Sequence, residues 1–337
     1  MTTSGWKLDQ VAATDALRLL KQSKVILMPV HQNVDADGLS SPLAIMHSLA
    51  QLGITAIPMI TDGVFPNQLT FLPGIDQVLM YGVDPLPAYD TICLTDVSDL
   101  RRLGKFYEDD PSRLDGSVPI VNIDHHVTNG NFGLVNIVEP NSASAAELVT
   151  DLLALWGTEL TREVAQCLLA GIYGDTLGLR TENTTARTMR TTADLVDAGA
   201  STGPVVDALF RVKPKSSVCL WERALANVHW TGTLIWTELT QAQFAECGAS
   251  PSEAEGLVNF LVGTEGSRAA AILYGTEQGW RVSMRSMPGD IDVAAVSSEF
   301  GGGGHPRAAG VTIVGGETEK LAFLQRVAEL AESSTAR

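Results

Sequence analysis

Four short runs of this 337-residue chain carry aspartate, two of them together with histidine, in patterns that could do chemistry: HQNVDAD (His31, Asp35, Asp37), LTDVSD (Asp96), IDHH (Asp124, His125, His126) and GIYGDT (Asp175). Imidazole and carboxylate together suit a pair of Mn²⁺-like ions. Thiolates are absent from these runs, and nitrogen ligands make an all-oxygen Mg²⁺ or Ca²⁺ site less apt. In HQNVDAD the spacing lets His31 and Asp35 reach one ion while Asp37, two residues on, turns toward another; a carboxylate such as Asp96 can bridge both. Each run also has a plainer reading. Asp35, Asp37 and Asp96 are placed where helix caps occur, and His31 fits a core or surface position. Asp124 with its histidines fits a turn whose carboxylate accepts backbone N–H groups, and Gly174-Asp175-Thr176 fits an ordinary turn. Capping does not call for an acid, or an acid with histidine, after each successive apolar segment. Their joint occurrence points to a two-metal site.

The elements that must position these residues are legible around them. KVILMPV, ITAIPMI, DTICLTD and SVPIVNID read as strands, VAATDALRLLKQ and LSSPLAIMHSLAQLG as helices, and LRRLGKFYEDD as a helix between two strands. Alternating strands and helices predict βαβ units. Three acidic runs then fall at the carboxyl ends of strands, the edge where open α/β sheets bind ligands. The predicted fold is α/β: a mostly parallel sheet flanked by helices over 1–185, a helical linker over 186–226 containing the basic break RVKPKSS, and a smaller α+β domain over 227–337. In the last domain VHWTGTLIWTELT, RAAAILYGT and WRVSMRSM read as long strands, followed by GGGGHPRAAGVTIVG.

Composition bounds the function. Apolar residues make up 45% and charged residues 18% of the chain, enough to offset the ordering of a folded backbone. The formal charge of −16 opposes a long polyanion such as duplex DNA, whereas metal ions reverse the sign of the field locally and admit a small phosphate. No apolar run is long enough to span a bilayer, and the polar MTTSGWKLDQ lacks a leader pattern, so a soluble cytoplasmic protein is expected, with no membrane partner. Cys93, Cys167, Cys219 and Cys247 lie far apart without CxxC pairing and are expected to be reduced core thiols.

Taken in order, HxxxDxD at 31–37, DxxDxxRxG at 96–104, DHH followed by VTNGNFG at 124–133, GIxxDT at 171–176 and a terminal GGGGHPRAAG resemble the DHH phosphoesterases that carry a DHHA1 domain. The resemblance spans about residues 15 to 330. Within the family the chain is similar to the stand-alone nanoRNases and cyclic dinucleotide phosphodiesterases rather than the much longer RecJ-type exonucleases. It implies that His31, Asp35 and Asp96 hold one ion and that Asp37, Asp96, His125 and Asp175 hold the second. His126 would face the phosphate, with Asp124 orienting a histidine through the ring nitrogen that meets neither metal nor phosphate. His126, Asp96 and Asp124 are therefore the candidates for the chemical step. Two departures concern the pocket walls: Ser40 stands at a position that is often glycine, and Leu179 replaces a usual aromatic residue.

GGGGHPRAAG is no P-loop, since no GK[ST] follows, and no βαβ unit remains after it to make a dinucleotide fingerprint. It reads either as a flexible loop or as glycines (Gly302, Gly303, Gly304) that let backbone approach a nucleotide while His305 contacts phosphate or base. In the family this loop and an arginine matching Arg285 of VSMRSM grip the nucleotide and the second domain closes over short substrates. Arg268 and Arg307 are weaker candidates, Asp99 is expected to cap the segment carrying Arg101 and Arg102, and His47 and His229 to be structural. The function expected is a Mn²⁺-dependent phosphodiesterase, with Mg²⁺ or Co²⁺ as substitutes, cleaving nanoRNA, pApA and cyclic di-AMP to mononucleotides. The alternatives are a phosphatase for 3′,5′-bisphosphorylated adenosine (pAp), a non-catalytic dinucleotide-binding regulator, and a pyrophosphatase or polyphosphatase. Homodimer formation is implied by the resemblance alone.

Overall fold

Residues Val25–Val30 are apolar without alternation, as a strand covered on both faces requires. In the computed structural model, which describes residues 6 to 333 except positions 64, 66, 255, 288 and 290, they form a central strand. The chain divides into two units, Met1–Val212 and Lys213–Arg337.

The first unit runs α1 (Gln10–Gln22), β1 (Val25–Val30), α2 (Ala36–Gln51), β2 (Thr55–Ile60), β3 (Leu79–Met80), β4 (Thr91–Thr95), α3 (Gly104–Asp109), β5 (Ile120–Asp124), β6 (Val135–Val138), α4 (Ala145–Trp156), α5 (Arg162–Asp175), α6 (Ala186–Asp197) and α7 (Thr202–Val206). Its sheet has the order β3-β2-β1-β4-β5-β6 with every pairing parallel. Alternate side chains serve two cores. Ile26, Met28 and Val30 of β1 pack with α2, α4 and α5, while Leu27 packs with Ile92, Leu94 and Phe106 on the other face. Each such fully buried aliphatic side chain contributes roughly 1.5–3 kcal/mol. The order reverses between β1 and β4, which opens a crevice at their carboxyl ends.

The second unit runs α8 (Lys215–Leu225), β7 (His229–Thr231), β8 (Leu234–Leu239), α9 (Gln241–Cys247), α10 (Leu257–Val262), β9 (Ala269–Thr276), β10 (Gly279–Ser286), α11 (Val293–Glu299), β11 (Gly303–His305), β12 (Ala308–Val314) and α12 (Glu317–Ser333). Its sheet, β11-β12-β10-β9-β8-β7, is antiparallel except for β8 with β9. That parallel pair needs a crossover, and α9 and α10 supply it. Ala269, Ala271 and Leu273 face one core with α11 and α12; Ala270 and Ile272 face the other with α8 and α10. The architecture is thus α/β followed by a smaller α+β unit with a mixed sheet.

Several local expectations are corrected. LRRLGKFYEDD is a 3-10 turn over Leu100–Leu103 and then α3, not one helix. VHWTGTLIWTELT is a hairpin rather than one strand: Thr231 pairs with Leu234 across a two-residue turn, where Gly232 takes φ 57. The 186–226 stretch is shared out, α6 and α7 belonging to the first unit and α8 to the second. Cys93 and Cys167 are buried thiols; burial alone pushes Cys93 up to about 12, and burial with the charge of Glu163 raises Cys167. Cys219 and Cys247 instead form a disulfide, because α8 packs beside α9 and brings their Cα atoms to 5.6 Å. A separation of 28 residues gave no local sign of it. Among the described residues no helix is long and apolar enough to cross a membrane.

Candidate active site

The carboxyl ends of β1, β4 and β5 deliver His31, Asp96 and Asp124, each directly after or at the end of its strand. Asp35 and Asp37 enter from the start of α2, and Asp175 from the last residue of α5. Two sets result. Ligand atoms of His31, Asp35 and Asp96 lie within 4.8 Å of one another, as do those of Asp37, Asp96, His125 and Asp175. Asp96 belongs to both: its Oδ2 is 3.3 Å from His31 Nε2 and its Oδ1 is 3.4 Å from His125 Nε2. It takes φ 60, a left-handed conformation that costs of order 1–3 kcal/mol for a non-glycine residue.

Both histidines present the same atom. His31 Nδ1–H donates to Gln32 O at 2.9 Å, and His125 Nδ1–H to Ser142 O at 3.3 Å. A ring that donates through Nδ1 to a carbonyl leaves Nε2 as the lone-pair atom, the arrangement that fixes metal-binding imidazoles. Among the described residues His31 Nε2, His125 Nε2 and Asp96 Oδ1 are buried without a hydrogen-bond partner. Orphaned buried polar atoms are costly. Three of them converging among carboxylates fit divalent ions.

Electrostatics agrees. Burial raises Asp37 well above the usual carboxylate range, and the charges of Asp175 and Asp96 push it the same way. Burial, opposed by the adjacent His125 ring and reinforced by Asp96 and Asp35, lifts Asp175 to about 6. Asp175 also closes a helix, where the macrodipole disfavours an anion and favours a cation. Burial works against charge on His31 and Asp96 alike. Asp35 and Asp96 nevertheless hold His31 up to about 10, while the adjacent His125 and His31 rings hold Asp96 well below its ordinary value. The crowded carboxylates borrow positive charge from imidazoles, a role that cations fill better.

The capping readings are partly right. Asp35 Oδ1 caps α2 through Gly38 N–H at 2.8 Å while lying 3.6 Å from His31 Nε2. Asp37 is fully buried and accepts the Ala145 and Ala146 N–H groups, at 2.6 and 2.9 Å, from the start of α4. Its room comes from Gly171 of α5, where a Cβ would meet Asp37 Oδ1 at 2.6 Å and Ser40 Oγ at 2.7 Å. Ser40 is therefore housed by the missing side chain opposite it. Leu179 takes φ 64 after α5 and packs partly against the first core.

His126 is set apart from His125. Its Nδ1–H donates to Asp124 Oδ1 at 2.8 Å, and its side chain is 35% exposed whereas Asp124 is fully buried. Asp124 is saturated by protein: Oδ1 also accepts His125 N–H at 2.8 Å and Oδ2 accepts Asn129 Nδ2–H at 2.6 Å. Asn129 and the Ser142 carbonyl were not singled out in the sequence. An amide in VTNG reads as a turn residue, and a carbonyl carries no side-chain signal.

In the second unit Arg285 and His305 both lie in register with Ala308, one on each neighbouring strand, and so share a row and a face of the sheet. Arg285 donates to Met284 O at 2.9 Å, and His305 is exposed. The glycine run is no free loop, since Gly303–His305 form β11. A Cβ at Gly302 would lie 2.3 Å from Gly310 O, and one at Gly304 would lie 2.5 Å from Ala308 O. The close backbone of β12 requires those glycines, while Gly303 faces open space. Arg268 donates to Ala331 O of α12 at 2.5 Å and Arg307 is exposed. Asp99 caps its 3-10 turn through Arg101 N–H, His47 meets Pro73 O at 3.0 Å, and His229 stacks on Trp236.

Residues 25–172 match the family model described as DHH family, N-terminal domain, and residues 239–333 match that of the DHHA1 domain. The chain belongs to the DHH family, and is by that membership a metal-dependent phosphoesterase. It is 33% identical over 296 residues to the bifunctional oligoribonuclease and PAP phosphatase NrnA of Thermus thermophilus, covering 86% of this chain and 84% of that one. The protein of the same name from Bacillus subtilis is 24% identical over 313 residues, or 89% of this chain and 93% of the relative. A crystal structure of an exopolyphosphatase-related protein from Bacteroides fragilis matches with a TM-score of 0.87 at 21% identity over 99% of both chains, a likeness of fold.

Proposed function

We propose that this chain is a manganese-dependent phosphodiesterase that hydrolyses short linear and cyclic dinucleotides, including pApA and cyclic di-AMP, to mononucleotides. The observation that carries the reading is the convergence of His31 Nε2, His125 Nε2 and Asp96 Oδ1, buried and without hydrogen-bond partners among the described residues, beside the carboxylates of Asp35, Asp37 and Asp175. His31, Asp35 and Asp96 would hold one ion and Asp37, Asp96, His125 and Asp175 a second. A mixed nitrogen and oxygen donor set favours Mn²⁺ over Mg²⁺. Bound ions supply Lewis acidity, easing ionisation of water near neutral pH and offsetting phosphate charge.

The remaining steps fall to the chain. His126, with Nδ1–H donating to Asp124, would in its doubly protonated form donate Nε2–H to a phosphate oxygen. Fixed groups aimed at developing charge are worth about 2.7–4 kcal/mol each. Arg285 and His305, with the backbone around Gly303, are proposed as nucleotide contacts of the second unit. The names of the two relatives, oligoribonuclease and PAP phosphatase, support dinucleotide cleavage and also favour a second reading, removal of phosphate from pAp. A cytoplasmic location and a homodimer belong to the same proposal.

The test is a substrate panel with Mn²⁺: pApA, cyclic di-AMP, pAp and pyrophosphate, with products resolved by chromatography. Mononucleotide from the dinucleotides is expected. Turnover of pyrophosphate alone, or dinucleotide binding without any product, overturns the reading.

A further inference from the structure

The hydrogen bonds behind His126 do not stop at Asp124. Asn129 Nδ2 donates to Asp124 Oδ2 at 2.6 Å and to Val97 O at 3.0 Å, while its Oδ1 accepts Asn122 Nδ2–H at 2.9 Å and Asn131 N–H at 2.8 Å. Both amide hydrogens and both carbonyl lone pairs are thereby used. The amide cannot flip without setting acceptor against carboxylate. Asn122, fully buried on β5, spends its other Nδ2–H on Asn136 Oδ1 at 3.0 Å. Asn136 is its direct neighbour on β6 and clamps Gly133 through two bonds, accepting N–H at 2.9 Å and donating to O at 2.7 Å. Three asparagines thus tie the β5–β6 ladder to Asp124.

We infer that Asn129 is a positioning residue for the phosphoester reaction, acting through Asp124 on His126. The inference rests on the proposed function and gives it a further part. Among the described residues Asp124 has two donors on Oδ1 and a single donor on Oδ2, and that donor is Asn129. Holding Oδ2 fixes the rotation of the carboxylate about its Cβ–Cγ bond. Oδ1 is then held in the position that takes the His126 proton and aims the ring. Among the described residues, none of the six proposed metal ligands hydrogen-bonds to the Asn129 side chain, so its removal should leave binding and metal content alone and lower the chemical rate. Partners at this remove typically carry about 10- to 100-fold in activity.

The experiment is a double-mutant cycle in the Mn²⁺-loaded full chain, read by single-turnover hydrolysis of pApA with enzyme in excess so that slow variants stay measurable. Asn129→Ala is expected to lower the rate about 10- to 100-fold, with the enzyme concentration giving half-maximal rate and the Mn²⁺ content unchanged. In the His126→Ala background the same substitution should change the rate by less than about twofold, because the residue it acts through is gone. An equal cost in both backgrounds, or no cost in either, overturns the positioning role. Asn129→Asp keeps the shape and replaces the donor with a charge facing Asp124; it should slow the reaction at least as much as alanine and serves as the cycle variant should alanine unfold. A wild-type chain that cleaves no phosphoester contradicts the proposed function itself, whatever the cycle shows.

Discussion

Asp96 takes a left-handed backbone at the end of β4 and turns one carboxylate oxygen to His31 and the other to His125. A residue in that position joins two ligand sets, so its loss should cost both. Asp96→Ala is expected to abolish turnover and reduce bound Mn²⁺ below two ions per chain, measured by elemental analysis beside the assay; full activity contradicts a bridging role. The adjacent histidines should part company. His125→Ala should release one ion, whereas His126→Ala should keep both and lower kcat by about 10²–10³-fold. Equal metal content in the two variants would sink that division of labour. The histidines and aspartates were legible because such residues stand out at the ends of apolar strands. Asn129 was not: its meaning depends on Asp124 and Asn122, which only the fold brings to it.

At the scale of elements, α2 and α5 approach through residues without bulk, and Gly171 is the tightest point, with Asp37 and Ser40 against it. Gly171→Ala is expected to destabilise the protein by about 1–3 kcal/mol through overpacking and to weaken metal retention, since Asp37 must move. A thermal melt with metal analysis checks both, and an unchanged melt with full occupancy contradicts the contact. A second device starts the sheet. Asp90 accepts N–H groups of Lys24 and Val25 at 2.9–3.2 Å, and the Lys24 bond foremost holds its carboxyl below the ordinary value. A depressed folded pKa gives stability that is present above the unfolded value, about 3.9, and is lost as pH falls through the folded one. Asp90→Asn should therefore lower the melting temperature at pH 7 and converge with the parent toward pH 3; a gap that widens in acid contradicts this. β1, β2, β4 and β5 were readable because two-sided burial leaves apolar runs. The β7–β8 turn, the break before α3 and β11 were not, because each is decided by a partner distant in sequence or by one backbone angle.

The whole molecule is strongly acidic, yet its proposed substrates are anions. At −16 the surface should reject extended phosphate backbones while the metal ions reverse the field within the crevice. Fluorescence anisotropy at low salt should accordingly show no complex with duplex DNA, and tight salt-dependent binding contradicts this picture. Fold class followed from the alternation of strands and helices. The pairing of Cys219 with Cys247 did not, since it depends on how α8 meets α9. The most direct test is to strip the chain with a chelator and titrate Mn²⁺ back while following mononucleotide release from pApA. The expected result is no turnover without metal and full recovery as the second ion per chain binds. Turnover undiminished in the chelated protein, or two bound ions with no product, would contradict the two-metal account.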